Sequence, residues 1–126
     1  MSFVLIATHR LKPGALAAER ERVGELVDFV ESREPRVIAF SEYADDEAEE
    51  VTVVQIHPDA ESLRVHTELI AGHAERAYRE TLDATLSIEL YGDPGEEVIA
   101  SLRRSAGERV RLTIRPHLLG GFTRTA

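Results

Sequence analysis

The chain has 126 residues, 43% hydrophobic and 30% charged, without a cysteine or a tryptophan. That composition is globular; it excludes a disordered or fibrous chain and removes disulfides, thiolate nucleophiles and cysteine-held metals from consideration. A net charge of −8 opposes nucleic-acid partners, whose affinity comes largely from Lys and Arg displacing counterions.

Phe3 to Arg10 is an apolar, β-branched run stopped by Pro13-Gly14, which predicts a first strand and a turn. This opening run is too short for a signal peptide or a membrane span, so the expectation is a cytoplasmic protein with no membrane contact. From Ala15 to about Ser32, Leu16, Val23, Leu26, Val27 and Val30 recur at helical spacing, and the helix must close before Pro35. Val37 to Tyr43 and Val51 to His57 predict an antiparallel hairpin joined by the acidic stretch Asp45 to Glu50. Pro58 to Ser62 opens a second helix with Asp59 as its N-cap, carrying Leu63, His66 and Ile70, with a break near Gly72 before it continues to Leu82. Leu86 to Tyr91 alternates as a half-buried strand and ends at Gly92 to Gly95. Glu96 to Ser105 predicts a third helix and Val110 to Arg115 a last strand, followed by the apolar, glycine-rich tail Leu118 to Phe122, expected to be pinned. The arginines 103, 104, 109, 111 and 115 are interleaved with Glu96, Glu97 and Glu108 and read as a solvated face.

The order β-α-β-β-α-β with an added α-β predicts an α+β fold of the ferredoxin-like, split βαβ kind, with an antiparallel sheet. Residues 1–126 read as one domain, of which residues 92–126 extend the core pattern. Val4 and Ile6 oppose Phe3, Leu5 and Ala7, so strands look apolar on both faces while helices cover one. At roughly 25 cal/mol per Å² of apolar surface the other face needs a cover. A second copy of the chain in a two-fold dimer is the simplest.

The segment His57 to His66 resembles the antibiotic-biosynthesis-monooxygenase members of the dimeric α/β-barrel superfamily. Asp59 and Ser62 open the helix, His66 follows four residues after the serine, and a further short motif precedes Tyr78. The opening strand and Lys12-Pro13-Gly14 match as well, and the resemblance covers residues 3 to 91. It implies homodimers whose sheets face each other and a pocket in each subunit between sheet and helices. It also implies oxidation of aromatic or quinol-type molecules by molecular oxygen with no bound cofactor. His66 corresponds to the family's helix histidine, and His73 is a looser match. The chain has neither the tryptophan nor the asparagine of the haem-degrading branch, which excludes it.

The residues themselves allow such chemistry. Ser62, His66, Leu69 and His73 fall on one helical stripe. A histidine with an ordinary pKa near 6.5 suits general-base removal of a phenolic or enolic proton, although a helix histidine bonded to a neighbour is equally common in plain scaffolds. Tyr43 and Tyr91 end strands and can orient a ring, or else cap a sheet with wet hydroxyls. Arg10 and His9 point to opposite faces, and either can anchor an anionic group. His66 and His73 are about 10.5 Å apart along a straight helix, too far to share a metal comfortably, and no metal is expected. Two readings stand. One is a monooxygenase-like enzyme with His66 as base and Arg10, Tyr43, Ser62, His73 and Tyr91 binding the substrate. The other is a non-catalytic homodimer that binds a small ligand or serves as a scaffold.

Overall fold

The computed structural model describes residues 2–124, so Met1, Thr125 and Ala126 of the expected single domain lie outside the described residues. The elements run β1 (Phe3–Leu11), α1 (Leu16–Arg33), β2 (Ala39–Ala44), β3 (Glu50–His57), α2 (Ala60–Leu69), α3 (Ala71–Glu80), β4 (Leu82–Tyr91), α4 (Glu96–Ala106) and β5 (Arg111–Arg115). Strand order is β2-β3-β1-β4-β5. The first four strands are antiparallel neighbours in the split βαβ arrangement. β5 joins β4 in parallel, so the sheet is mixed rather than antiparallel throughout. The reason is connectivity: α4 carries the chain back to the start of β4, and a strand that follows a crossover helix runs parallel.

Local chemistry explains the boundaries. Gly14, at φ +74, makes the turn out of β1. Asp59 caps α2, its carboxylate accepting the Ser62 N–H at 3.0 Å. In the β2–β3 connection Asp45 Oδ1 accepts from the N–H groups of Glu49 and Glu50 at 2.8 and 3.1 Å. The break between α2 and α3 falls at Ile70 rather than at Gly72. β4 begins at Leu82, four residues before the regular alternation, because register shifts after Thr8 and Arg10 let the whole stretch pair with β1.

Register and alternation assign the faces. Phe3, Leu5, Leu11, Val51, His57, Leu82 and Leu90 point to the helices, and the apolar ones form two core clusters. Phe3, Leu5 and Leu90 pack with Leu63 of α2, Ile99 and Leu102 of α4 and Ile114 of β5. Leu11, Val51 and Leu82 pack with Ala77 of α3 and Leu16 of α1. The opposite face is less uniformly apolar than the alternation implies. Val4, Ile6, Val54 and Ile56 form a compact block through the pairs Val4↔Ile56 and Ile6↔Val54. Thr8, Arg10, Ser41, Thr52, Ser87 and Glu89 share that face. The tail is not pinned within the chain: Leu118, Leu119 and Phe122 are all exposed. The arginines at 103, 104, 109, 111 and 115 are not buried, as a solvated face requires.

Gly92 packs against the start of β1 at φ +110, and a Cβ there would lie 2.8 Å from the Phe3 Cβ. Gly92→Ala meets both a backbone penalty and a clash, and should lower unfolding free energy by about 2–3 kcal/mol in denaturant titration. Gly72 has open space around it, and Gly72→Ala should leave stability unchanged or raise it.

Candidate functional site

Between the sheet and the helices lies a group of buried polar side chains at the β2–β3 end. His57 closes β3 and stacks on Phe3, with ring centroids 5.6 Å apart. Its Nε2–H donates to Gln55 Oε1 at 2.7 Å, and its Nδ1 accepts from the Ser62 hydroxyl at 2.8 Å. His66, one turn after Ser62 on α2, lies 5.5 Å from the His57 ring and 5.3 Å from that of Phe40 on β2.

The partner of His66 is Glu34, the residue that caps the C-terminus of α1. His66 Nδ1–H donates to Glu34 Oε1 at 2.9 Å, and both side chains are 2% exposed. His66 Nε2 and Glu34 Oε2 meet no partner among the described residues. Burial holds both imidazoles down to about 4, and the neighbouring His66 lowers His57 further. Burial also raises the Glu34 carboxyl. At neutral pH His66 is therefore uncharged, with Glu34 fixing its tautomer and leaving Nε2 with a bare lone pair. Nε2 is the one atom of the pair placed to take a proton, against a burial that disfavours the charged imidazole.

A cavity of about 210 Å³ opens beside Glu34, between α1 and β2, lined also by Val27, Val30, Glu31, Ile38 and Phe40, with His66 behind Glu34 and Phe40. An apolar cavity of roughly 150 Å³ holds benzene, so this one takes a single ring.

The chain brings Ser62 to His66 through His57 and brings the other expected binding residues elsewhere. His73 lies on α3 against the Phe29 ring, 4.8 Å between centroids. Arg10, Tyr43 and Tyr91 sit on the face of the sheet away from the helices. Arg10 pairs with Asp83 at 3.0 Å, and the Tyr91 hydroxyl donates to Glu89 at 2.9 Å. Tyr43 is 62% exposed. Of the His9 and Arg10 pair, His9 takes the helix side, with Nδ1 2.9 Å from Thr85 Oγ1. Sequence reasoning does not reach Glu34, Gln55 or His57 as site residues. Glu34 is separated from His66 by 32 residues, and no spacing rule links them. In sequence His57 reads as a strand end that could join His66 or His73, and its position five residues before Ser62 is the signal that places it over the first turn of α2. Among the described residues no group of three metal-ligating side chains is placed to hold an ion, and no helix is long and apolar enough to cross a membrane.

No protein-family model and no curated protein matches the sequence. Solved structures match its fold. MupZ from Pseudomonas fluorescens superposes with a TM-score of 0.71 at 15% identity, covering 98% of this chain and 94% of that one. A structure described as an antibiotic biosynthesis monooxygenase gives 0.62 at 19% identity, covering 72% of this chain and 97% of the other. Rv0793 from Mycobacterium tuberculosis gives 0.62 at 12% identity, over 76% and 98%. The chain thus has the antibiotic-biosynthesis-monooxygenase-like, ferredoxin-like α+β fold. The match to MupZ is long enough to take in α4 and β5.

The buried imidazoles make stability depend on pH with a defined sign. In the unfolded chain a histidine protonates near 6.5, whereas in the fold both stay neutral until about 4. The unfolded state therefore binds more protons between these values, and stability falls as pH drops from 6.5 to 4. Because each tenfold change in proton affinity is worth about 1.4 kcal/mol, the loss should reach roughly 3 kcal/mol per imidazole at the acid end. Glu42, raised to about 9, adds the opposite slope over the same window. The share of His57 and His66 is therefore read from the difference between the wild type and the His57→Gln, His66→Gln double variant, and no difference would contradict neutral, buried imidazoles.

Proposed function

We propose that the protein is a cofactor-independent, monooxygenase-like enzyme acting on a single-ring phenolic or quinol-type molecule, with the Glu34-oriented His66 as general base. The observation that carries this reading is the bare, buried Nε2 of His66, backed at 2.9 Å by Glu34 and adjoining a ring-sized cavity through Glu34 and Phe40. Deprotonating a phenol at Nε2 would give an electron-rich phenolate whose para carbon can bond to molecular oxygen. Loss of the ring proton and cleavage of the O–O bond would then yield a quinone and water. One phenol and one oxygen molecule balance one quinone and one water, so no outside reductant is needed. The apolar lining from Val27, Val30, Ile38 and Phe40 suits an aromatic ring and would keep water from competing for the base.

A second reading, a non-catalytic small-ligand binder, is favoured by one observation: Nε2 is covered by protein, and His57 and Phe40 flank the ring. Oxygen uptake separates the two. With a panel of hydroquinones and phenols, the enzymatic reading expects substrate-dependent consumption that His66→Ala lowers at least ~100-fold and Glu34→Gln about tenfold. Full turnover in His66→Ala would eliminate the base assignment, and saturable binding with no oxygen consumed would favour the binder.

The protein also acts, in this proposal, as a homodimer through the helix-free face. Support comes from the half-buried block Val4, Ile6, Val54 and Ile56, which no helix or strand of the described residues covers. Val54→Glu should shift the sedimentation coefficient from dimer to monomer at micromolar protein. A wild-type chain that sediments as a monomer under those conditions would refute the dimer.

A further inference from the structure

The other end of the α1–β2 cleft holds a second buried group, which has no part in the chemistry of His66. Glu19 of α1 accepts from Arg22 Nε at 2.8 Å, from Arg22 Nη2 at 2.7 Å and from Thr81 Oγ1 at 2.7 Å. Glu42 of β2 points into the same layer, with its side chain 7% exposed. The Arg22 guanidinium stands 3.9 Å from Glu42, beyond hydrogen-bonding reach, and no donor of the described residues bonds to the Glu42 carboxyl. Glu42 faces the cavity between α1 and β2 without a hydrogen-bond partner among the described residues, and the Glu19 carboxylate is its charged neighbour. Two neighbouring buried carboxylates do not both ionise freely, and one of them keeps its proton.

The charges in this layer do not balance. Two carboxylates face one buried guanidinium. His9 on β1, which feels Glu19 and Arg22, is kept neutral chiefly by burial. The residues of β3 beside Glu42 are Val51 and Val53, and Arg20 on the rim is solvent-exposed. The shortfall of one positive charge is met by a proton on Glu42. Burial first, and then the neighbouring Glu19 carboxylate, raise that carboxyl to about 9, while Glu19 is held near 2 because its hydrogen bonds outweigh its own burial. Glu19 and Glu42 also line a cavity of about 170 Å³ with Leu16, Val23 and Val51. Arg20, Tyr43 and Ala44 complete the lining, and the wall formed by Leu16, Val23 and Val51 suits a short hydrocarbon.

We propose that this cavity is a binding site for a small organic ammonium ion, whose charge takes the place of the Glu42 proton beside Glu19 and Arg22. The aliphatic part of the ligand lies on Leu16, Val23 and Val51, and its nitrogen donates to the freed Glu42 carboxylate. Binding then expels one proton. The site is separate from His66, and neither its success nor its failure bears on the role of that residue.

Isobutylamine hydrochloride is a suitable probe, with isobutanol as its neutral counterpart and isobutyrate as its anionic one. Calorimetric titration at about pH 7.5 in phosphate and in Tris should report release of close to one proton per amine bound. Affinity should rise about tenfold per pH unit between about 6.5 and 8.5, since the amine must displace a proton. Amide shifts in two-dimensional NMR should centre on Val23, Ala44 and Val51. Glu42→Gln keeps the size of the side chain and should abolish both the proton release and the pH dependence while weakening binding at least ~tenfold at the alkaline end of that range. Val23→Phe, which fills the cavity and leaves Glu42 in place, should block the amine as well. His66→Gln should bind it normally. The proposal is overturned by amine binding without proton release, by equal affinity in Glu42→Gln, by shifts centred elsewhere, by isobutanol or isobutyrate binding as well as the amine, or by no saturable heat at the alkaline end.

Discussion

The four helices of the described residues lie on one face of the sheet, and the layer between is largely closed to water. A polar group that enters this layer must find its partner inside the protein, because leaving one unpaired costs about 1–3 kcal/mol. That constraint organises the interior. His57 is satisfied at both nitrogens by Gln55 and Ser62. Glu19 is satisfied by Arg22 and Thr81. Departures from full pairing gather around the α1–β2 cleft, where Glu34 and the His66 of α2 behind it each keep a bare atom and Glu42 has no hydrogen-bond partner among the described residues. Incomplete pairing beside a cavity marks a place where the protein can accept something from outside.

The cleft between α1 and β2 follows from topology. β2 is an edge strand, so α1 covers it without a further strand beyond to close the gap. α1 presents Leu16, Glu19 and Val23 at one end of the cleft and Val27, Val30 and the capping Glu34 at the other, one stripe along an 18-residue helix. β2 answers with Phe40 and Glu42 two residues apart on the same face. One helix and one strand thereby build two differently polar ends. The opposite edge of the sheet is finished by β5, whose Ile114 joins α4 in covering Leu90.

Shared architecture at the identities seen here speaks for the path of the backbone and not for its chemistry. The distinctive chemical content of this chain is a histidine–carboxylate pair and a pair of buried glutamates, each built from residues far apart in sequence. Oxygen chemistry without a cofactor asks the protein chiefly to take a proton and exclude water, which the first pair suits. The second pair is an electrostatic feature of another kind, with a charge deficit at its centre.

Much of the fold was legible because its signals are local. Pro35 had to end α1, Asp59 had to cap α2, and the alternation Leu86, Ile88, Leu90 had to be a strand with one buried face. His66 stood out for the same reason, by its spacing from Ser62. The parallel pairing of β5 was not legible, since strand direction depends on where α4 delivers the chain. Nor were the partners of His66, or the meeting of Glu19 with Glu42, visible in any spacing. Arg10, Tyr43 and Tyr91 looked like binding residues in sequence, yet pleat and register turn them to the far face. Periodicity, caps and breakers act over a few residues, so the amino-acid order alone determined the elements and one candidate base. The pairing of buried charges depends on which side chains the packed layers bring within about 3 Å of each other, and only the tertiary structure decided that.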